Sequence, residues 1–167
     1  MPDYSQIIPE LTQWNNGKGI DIDSWICCVG RFDHAVGYGR VFWPDFVIHD
    51  DCVLFASARI ASFDEWMTHT GGHRRSVEAA MNHRHVVDLF SGERSGVSRD
   101  MVIYFGRLLK DTWECKRRRD FPDRDIIVGF SEDQADELLD YEVTVYHNEA
   151  GGQRGVSATL DNEPEKA

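Results

Sequence analysis

The chain has 167 residues, and its 29 acidic side chains against 18 Lys and Arg give a formal net charge of −11. With 41% hydrophobic and 28% charged residues it has the balance of a soluble globular domain, long enough to bury about two-thirds of its unfolded surface. The acidity argues against a nucleic-acid binder, which needs a basic surface, and no apolar run approaches the ~20 residues of a membrane span. The N-terminal Met-Pro-Asp-Tyr-Ser-Gln lacks the basic and apolar stretches of a secretory signal, so the expected location is cytoplasmic. Four cysteines, Cys27, Cys28, Cys52 and Cys115, show neither a C-x-x-C nor a zinc-ribbon spacing, and are expected to be buried free thiols.

In chain order, Tyr4, Ile7, Ile8, Leu11 and Trp14 recur at roughly helical spacing, with Pro9 suited to the first turn of a short helix. Asn15-Asn16-Gly17-Lys18-Gly19 stops it. The glycines there do not match a phosphate-binding loop, which needs G-x-x-x-x-G-K-[ST] after a strand, so the segment reads as a turn. Asp23 or Ser24 can cap a helix carrying Trp25, Ile26, Cys28, Val29 and Phe32, and Asp33 a second piece with Ala35, Val36, Tyr38, Val41, Phe42 and Trp43. Gly37 and Gly39 inside that piece cost about 1 kcal/mol each relative to Ala, so either another backbone approaches closely there or the helix breaks.

Phe46–His49 and Cys52–Phe55 read as a hairpin across Asp50-Asp51. Ser62-Phe63-Asp64-Glu65 has the form of a capping box opening a short helix. A further helix is predicted over 74–90, with Asn82-His83 as a kink. From Ser98, a suitable N-cap, Met101, Val102, Phe105, Leu108, Leu109, Thr112 and Trp113 form the broad apolar face of a long helix, closed by Lys116 to Arg119 and Pro122. This helix is the expected central strut. Asp125–Phe130 and Glu142–His147 read as strands, separated by a second capping box at Ser131-Glu132-Asp133-Gln134 opening a short helix through Leu139. The sum is a mostly helical α+β fold: one domain over 1–148 with a small antiparallel sheet of about four strands, and a disordered acidic and polar tail over 149–167.

No catalytic signature is present. His69 and His73 are separated by two glycines, and His83 and His85, two apart, chelate together only if their segment is extended. These spacings assign no metal and no cofactor. Arg31, His34 and Arg40 cluster around Gly37 and Gly39 in a pattern suited to an anion, although pairing of the two arginines with acidic neighbours on a solvated helix face is the commoner explanation. Lys116-Arg117-Arg118-Arg119 is the one basic run, and surrounding acids together with the helix C-terminus account for it. Trp43, beside Pro44 at a segment end, is the tryptophan expected at the surface.

The leading expectation is a small acidic protein-binding module, with Trp43, Asp133, Asp136 and Glu137 as interface residues and a basic protein as partner. An immunity-type neutraliser of a basic toxin is its concrete form. The alternative is a small enzyme acting on an anionic small molecule through Arg31 and Arg40, with His34 as the acid–base group. No nucleic acid, membrane or cofactor enters either reading.

Overall fold

The computed structural model describes residues 2–90 and 96–148, and the tail expected at 149–167 lies outside them. In chain order come α1 (Tyr4–Ile7), α2 (Trp14–Gly17), α3 (Ile22–Val29), α4 (Phe32–Phe42), β1 (Phe46–His49), β2 (Cys52–Phe55), α5 (Phe63–His69) and α6 (Arg74–Asn82). They are followed by β3 (Arg84–His85), α7 (Arg99–Asp120), β4 (Ile126–Phe130) and β5 (Glu142–His147), with short 3-10 turns between several elements. The class is the expected one: a mostly helical α+β fold in which every strand pair is antiparallel.

α7 is the strut of the core. The Ser98 hydroxyl accepts the Met101 N–H at 3.2 Å, and Asp100 occupies the first turn. Val102, Leu109 and Trp113 are buried in a cluster with Val128 of β4 and Val143 and Val145 of β5. The fit against β4 is tight: a Cβ at Gly106 would lie 2.3 Å from the Phe130 ring. Trp113 meets Phe55 edge-on at 4.9 Å between centroids and donates its indole N–H to the Val41 carbonyl at 2.8 Å, which ties the end of α4 to the strut. Burial of one large apolar side chain contributes about 1.5–3 kcal/mol, so this face outweighs any local propensity.

The sequence predicts one sheet of about four strands, whereas the described residues form two: a β1–β2 hairpin and a three-stranded sheet ordered β3-β5-β4. The reason lies on α6. Glu78 and Asn82, one helical turn apart and both fully buried, take the backbone groups through which β2 and β5 would otherwise pair. The Glu78 carboxylate accepts the Val53 N–H and the His147 N–H, each at 2.7 Å. Asn82 accepts the Phe55 N–H at 2.9 Å and donates to the carbonyls of Val53 and Val145 at 2.7 and 2.9 Å. Buried backbone groups must find partners, and here two side chains replace a strand ladder. β2 consequently runs between two apolar clusters, with Val53 and Phe55 in one and Cys52 and Leu54 in the other.

The same commitment of Asn82 explains why the predicted helix over 74–90 ends there. His83 turns extended, β3 pairs with β5, and a 3-10 turn covers Val86–Phe90. The helix expected from Ser131 through Leu139 is two 3-10 turns, Glu132–Gln134 and Leu138–Asp140. Its capping box forms between Glu137 and Asp140, not at Ser131. Ser62 precedes α5 but makes no side-chain cap bond. Asp50 and Asp51 form the hairpin turn with φ of 46° and 63°. That left-handed pair is unfavourable for non-glycine residues, and Asp51 is held there by ion pairs to Arg74 and Arg124. Of the cysteines only Cys52 is buried, its thiol pushed up to about 11 by burial, while Cys27, Cys28 and Cys115 are exposed. No described helix is long and apolar enough to cross a membrane.

Candidate functional site

α3 and α4 form an arm set by local chemistry. The Asp21 carboxylate accepts the Ser24 N–H at 2.9 Å and caps α3, displacing the expected Asp23 or Ser24. α3 closes at Gly30, where a Cβ would sit 2.4 Å from the Ile26 carbonyl oxygen, so glycine is what permits the tight link to Arg31. α4 then starts at Phe32 with no side-chain cap and without Asp33 in that role.

The C-terminal half of α4 is anchored. Phe42 meets Phe105 of α7 at 5.6 Å and Tyr38 meets Phe90 at 5.0 Å, both edge to face. The other half is not: neither α3 nor α4 contains a buried residue. Phe32 and Val36, one turn apart, are 94% and 77% exposed, and Ile26 on α3 is 52% exposed with Val29 close behind. Trp43, exposed as expected, ends the arm at the C-cap of α4. Gly37 and Gly39 do neither of the two things expected of them. α4 runs through both without a break, and a Cβ on either would meet nothing.

The residues of the anticipated anion site are placed apart. Arg31 and Arg40 stand at opposite ends of α4, about 13 Å along its axis at 1.5 Å per residue. The Arg31 guanidinium closes on Asp33 with bonds of 3.0 and 2.6 Å, which holds the Asp33 carboxyl below its ordinary range. Arg40 pairs with Asp45, and the His34 ring lies against Tyr38 at 5.8 Å. All four charged groups face solvent. Both arginines are thus neutralised within the chain. In the basic run at Lys116–Arg119, Lys116 is similarly engaged by Asp120 and Arg118 by Glu114.

Asp133, Asp136 and Glu137 are exposed on the segment between β4 and β5. Glu137 is occupied in the capping box, and the Asp136 carbonyl accepts from Arg99. Beside them the Glu132 carboxylate takes a two-pronged bond from Arg107 at 2.8 and 2.5 Å, which pulls its pKa below the ordinary value. The acidic segment and the arm border one structure, the 3-10 turn Val86–Phe90: Val86 N–H donates to Tyr141 on one side and Phe90 touches Tyr38 on the other.

Ile26, Val29, Phe32 and Val36 were legible as apolar helix positions but not as surface. Periodicity locates an apolar face and does not say what covers it. The interior glycines were the available signal, since they weaken a helix that packing does not rescue. Among the described residues, the one group of three side chains able to hold a metal ion is His83, His85 and Glu142, from the end of α6, β3 and β5 and not from the arm. Compared with family models, with curated proteins and with solved structures, the chain matches none.

Proposed function

We propose that this protein is a protein-binding module whose docking surface is the α3–α4 arm. The observation that carries the reading is the exposure of Phe32 and Val36 on one helix face, with Ile26 and Val29 on the adjoining helix. Exposed apolar side chains one turn apart on a helix face cost free energy in water and mark interaction surfaces when they are not scattered singly. Phe32 alone offers an aromatic anchor of the sort that dominates interface energetics.

Charge supports a basic partner over a second copy of the chain. Two copies bring together molecules of net charge −11 each. Arg31 and Arg40 are already paired with Asp33 and Asp45, so Asp21 and Asp23 leave the arm with an excess of acid. Asp133 and Asp136, across the Val86–Phe90 turn, extend the acidic field that steers a basic protein in. Neutralisation of a basic toxin, as an immunity protein does, is the concrete form of this function.

Native mass spectrometry of the complex purified from the protein's own host tests it, comparing wild type with a Phe32→Ser/Val36→Ser variant and with Asp133→Lys/Asp136→Lys. The expected outcome is one stoichiometric basic polypeptide, lost from the first variant at unchanged melting temperature and made less salt-sensitive in the second. Retention of the partner by the Phe32→Ser/Val36→Ser variant overturns the docking surface. A chain that is monomeric or homodimeric throughout overturns the function.

A further inference from the structure

We infer that His83, His85 and Glu142 form a binding site for a zinc-type divalent cation, independent of the arm. One donor atom from each can be chosen so that all three lie within 4.8 Å of one another. The condition that two histidines two residues apart need, an extended backbone, is met: His83 leaves α6 with ψ of 143°, and β3 follows. Strand alternation sends Arg84 to the other face, where its guanidinium stacks on Phe55 at 4.8 Å. Register places Glu142 of β5 directly opposite His85.

The histidine tautomers favour metal. His83 Nδ1 lies 2.7 Å from the Ala80 carbonyl oxygen and His85 Nδ1 lies 2.6 Å from that of Leu139. A carbonyl only accepts, so in both rings Nδ1 carries the proton and, in the neutral imidazole, Nε2 keeps its lone pair. A backbone carbonyl on the remote ring nitrogen is the arrangement that orients a metal-ligating histidine. The rings stand perpendicular with centroids 5.5 Å apart. Two imidazoles sharing one tetrahedral zinc at 2.0–2.1 Å hold their centroids roughly 5.2 Å apart, close to the separation these rings already have.

Glu142 is the ligand that moves. Its carboxylate now touches His85 Nδ1 at 3.2 Å, and it must swing from that edge to the metal while Leu139 retains the Nδ1 proton. Two imidazoles and one carboxylate suit zinc over magnesium or calcium, which prefer oxygen donors. His85 and Glu142 side chains are each 34% exposed, so solvent can complete a fourth position.

Calorimetric titration of the full chain with zinc chloride is the test, with magnesium chloride in parallel. Saturable one-to-one zinc binding is expected, with none for magnesium. His83→Ala and His85→Ala should each weaken it at least 10-fold, as should Glu142→Gln, since even outer-shell losses at metal sites cost 10–100-fold. A Cys27→Ser/Cys28→Ser/Cys115→Ser variant controls for the exposed thiols and should bind as wild type does. Circular dichroism without zinc checks that the histidine variants are folded. On the wild type, long-range proton–nitrogen NMR should show zinc shifting Nε2 of His83 and His85. No saturable binding, binding that survives both histidine changes, binding lost only with the cysteines, or unmoved Nε2 signals would each overturn the site.

Discussion

α7 and α4 both carry large apolar side chains at helical spacing, yet Val102, Leu109 and Trp113 are buried while Phe32 and Val36 stand in solvent. Their ends differ in the same sense. α7 begins at a serine whose hydroxyl closes the first turn, whereas α4 begins at Arg31 with no side-chain cap. Each has interior glycine, but with opposite meaning. Gly106 of α7 makes room for Phe130, and Gly37 and Gly39 of α4 make room for nothing among the described residues. An apolar stripe is therefore not by itself a core element. It becomes one when another element of the same chain is positioned to cover it, as β4 and β5 cover α7.

The comparison breaks most sharply at the two aromatic anchors. Trp113→Ala removes a buried ring, its contact with Phe55 and its bond to the Val41 carbonyl, and should cost about 3–5 kcal/mol in denaturant unfolding. Phe32→Ala, at the exposed end of α4, should change stability by less than about 0.5 kcal/mol. Equal losses at the two positions would mean that the exposed face is covered within the chain.

The glycines give a smaller effect of opposite sign. Gly106→Ala must displace the Phe130 ring, and overpacking of about 1–3 kcal/mol offset by better helix propensity leaves a net loss of about 1 kcal/mol. Gly37→Ala and Gly39→Ala meet open space in a continuous helix, so each should raise stability by up to about 1 kcal/mol, read as a higher melting temperature.

The smallest difference is electrostatic. Glu132, paired with Arg107 of α7, has its carboxyl held below its ordinary value of 4.5. Its contribution is fully present above about pH 4.5 and is lost as pH falls through the lowered folded value. Because Arg107 is largely exposed, Glu132→Gln should cost under ~1 kcal/mol at pH 7, and the difference from wild type should vanish in acid. The Arg31–Asp33 pair of α4 joins residues two apart and ties no two elements together, so Arg31→Ala should leave the unfolding midpoint unchanged.

Much of the fold was readable in the sequence because the signals were local. Ser98 and the apolar positions from Met101 to Trp113 specify α7, and the strands at Ile126–Phe130 and Glu142–His147 follow from their own residue types. The extent of α6 was not readable, since Asn82 ends the helix by bonding three carbonyl and amide groups on β2 and β5, which lie 27 to 63 residues away. For the same reason the split of the sheet was hidden: nothing in the spacing of Glu78 and Asn82 says that they will stand in for a strand ladder. At Arg31 and Arg40 the bland alternative was visible, because the acids that neutralise them are only two and five residues off.

What the amino-acid sequence determined alone is α7 with its Ser98 cap, the β1–β2 hairpin, the strands β4 and β5, and the chain's acidity, all of which arise from interactions within a few residues or from composition. Tertiary structure decided which apolar faces are covered, that His83 and His85 come together with Glu142, and that Phe32 and Val36 meet water. Coverage and convergence depend on which distant segments the packing of the core brings together, and no local pattern encodes them.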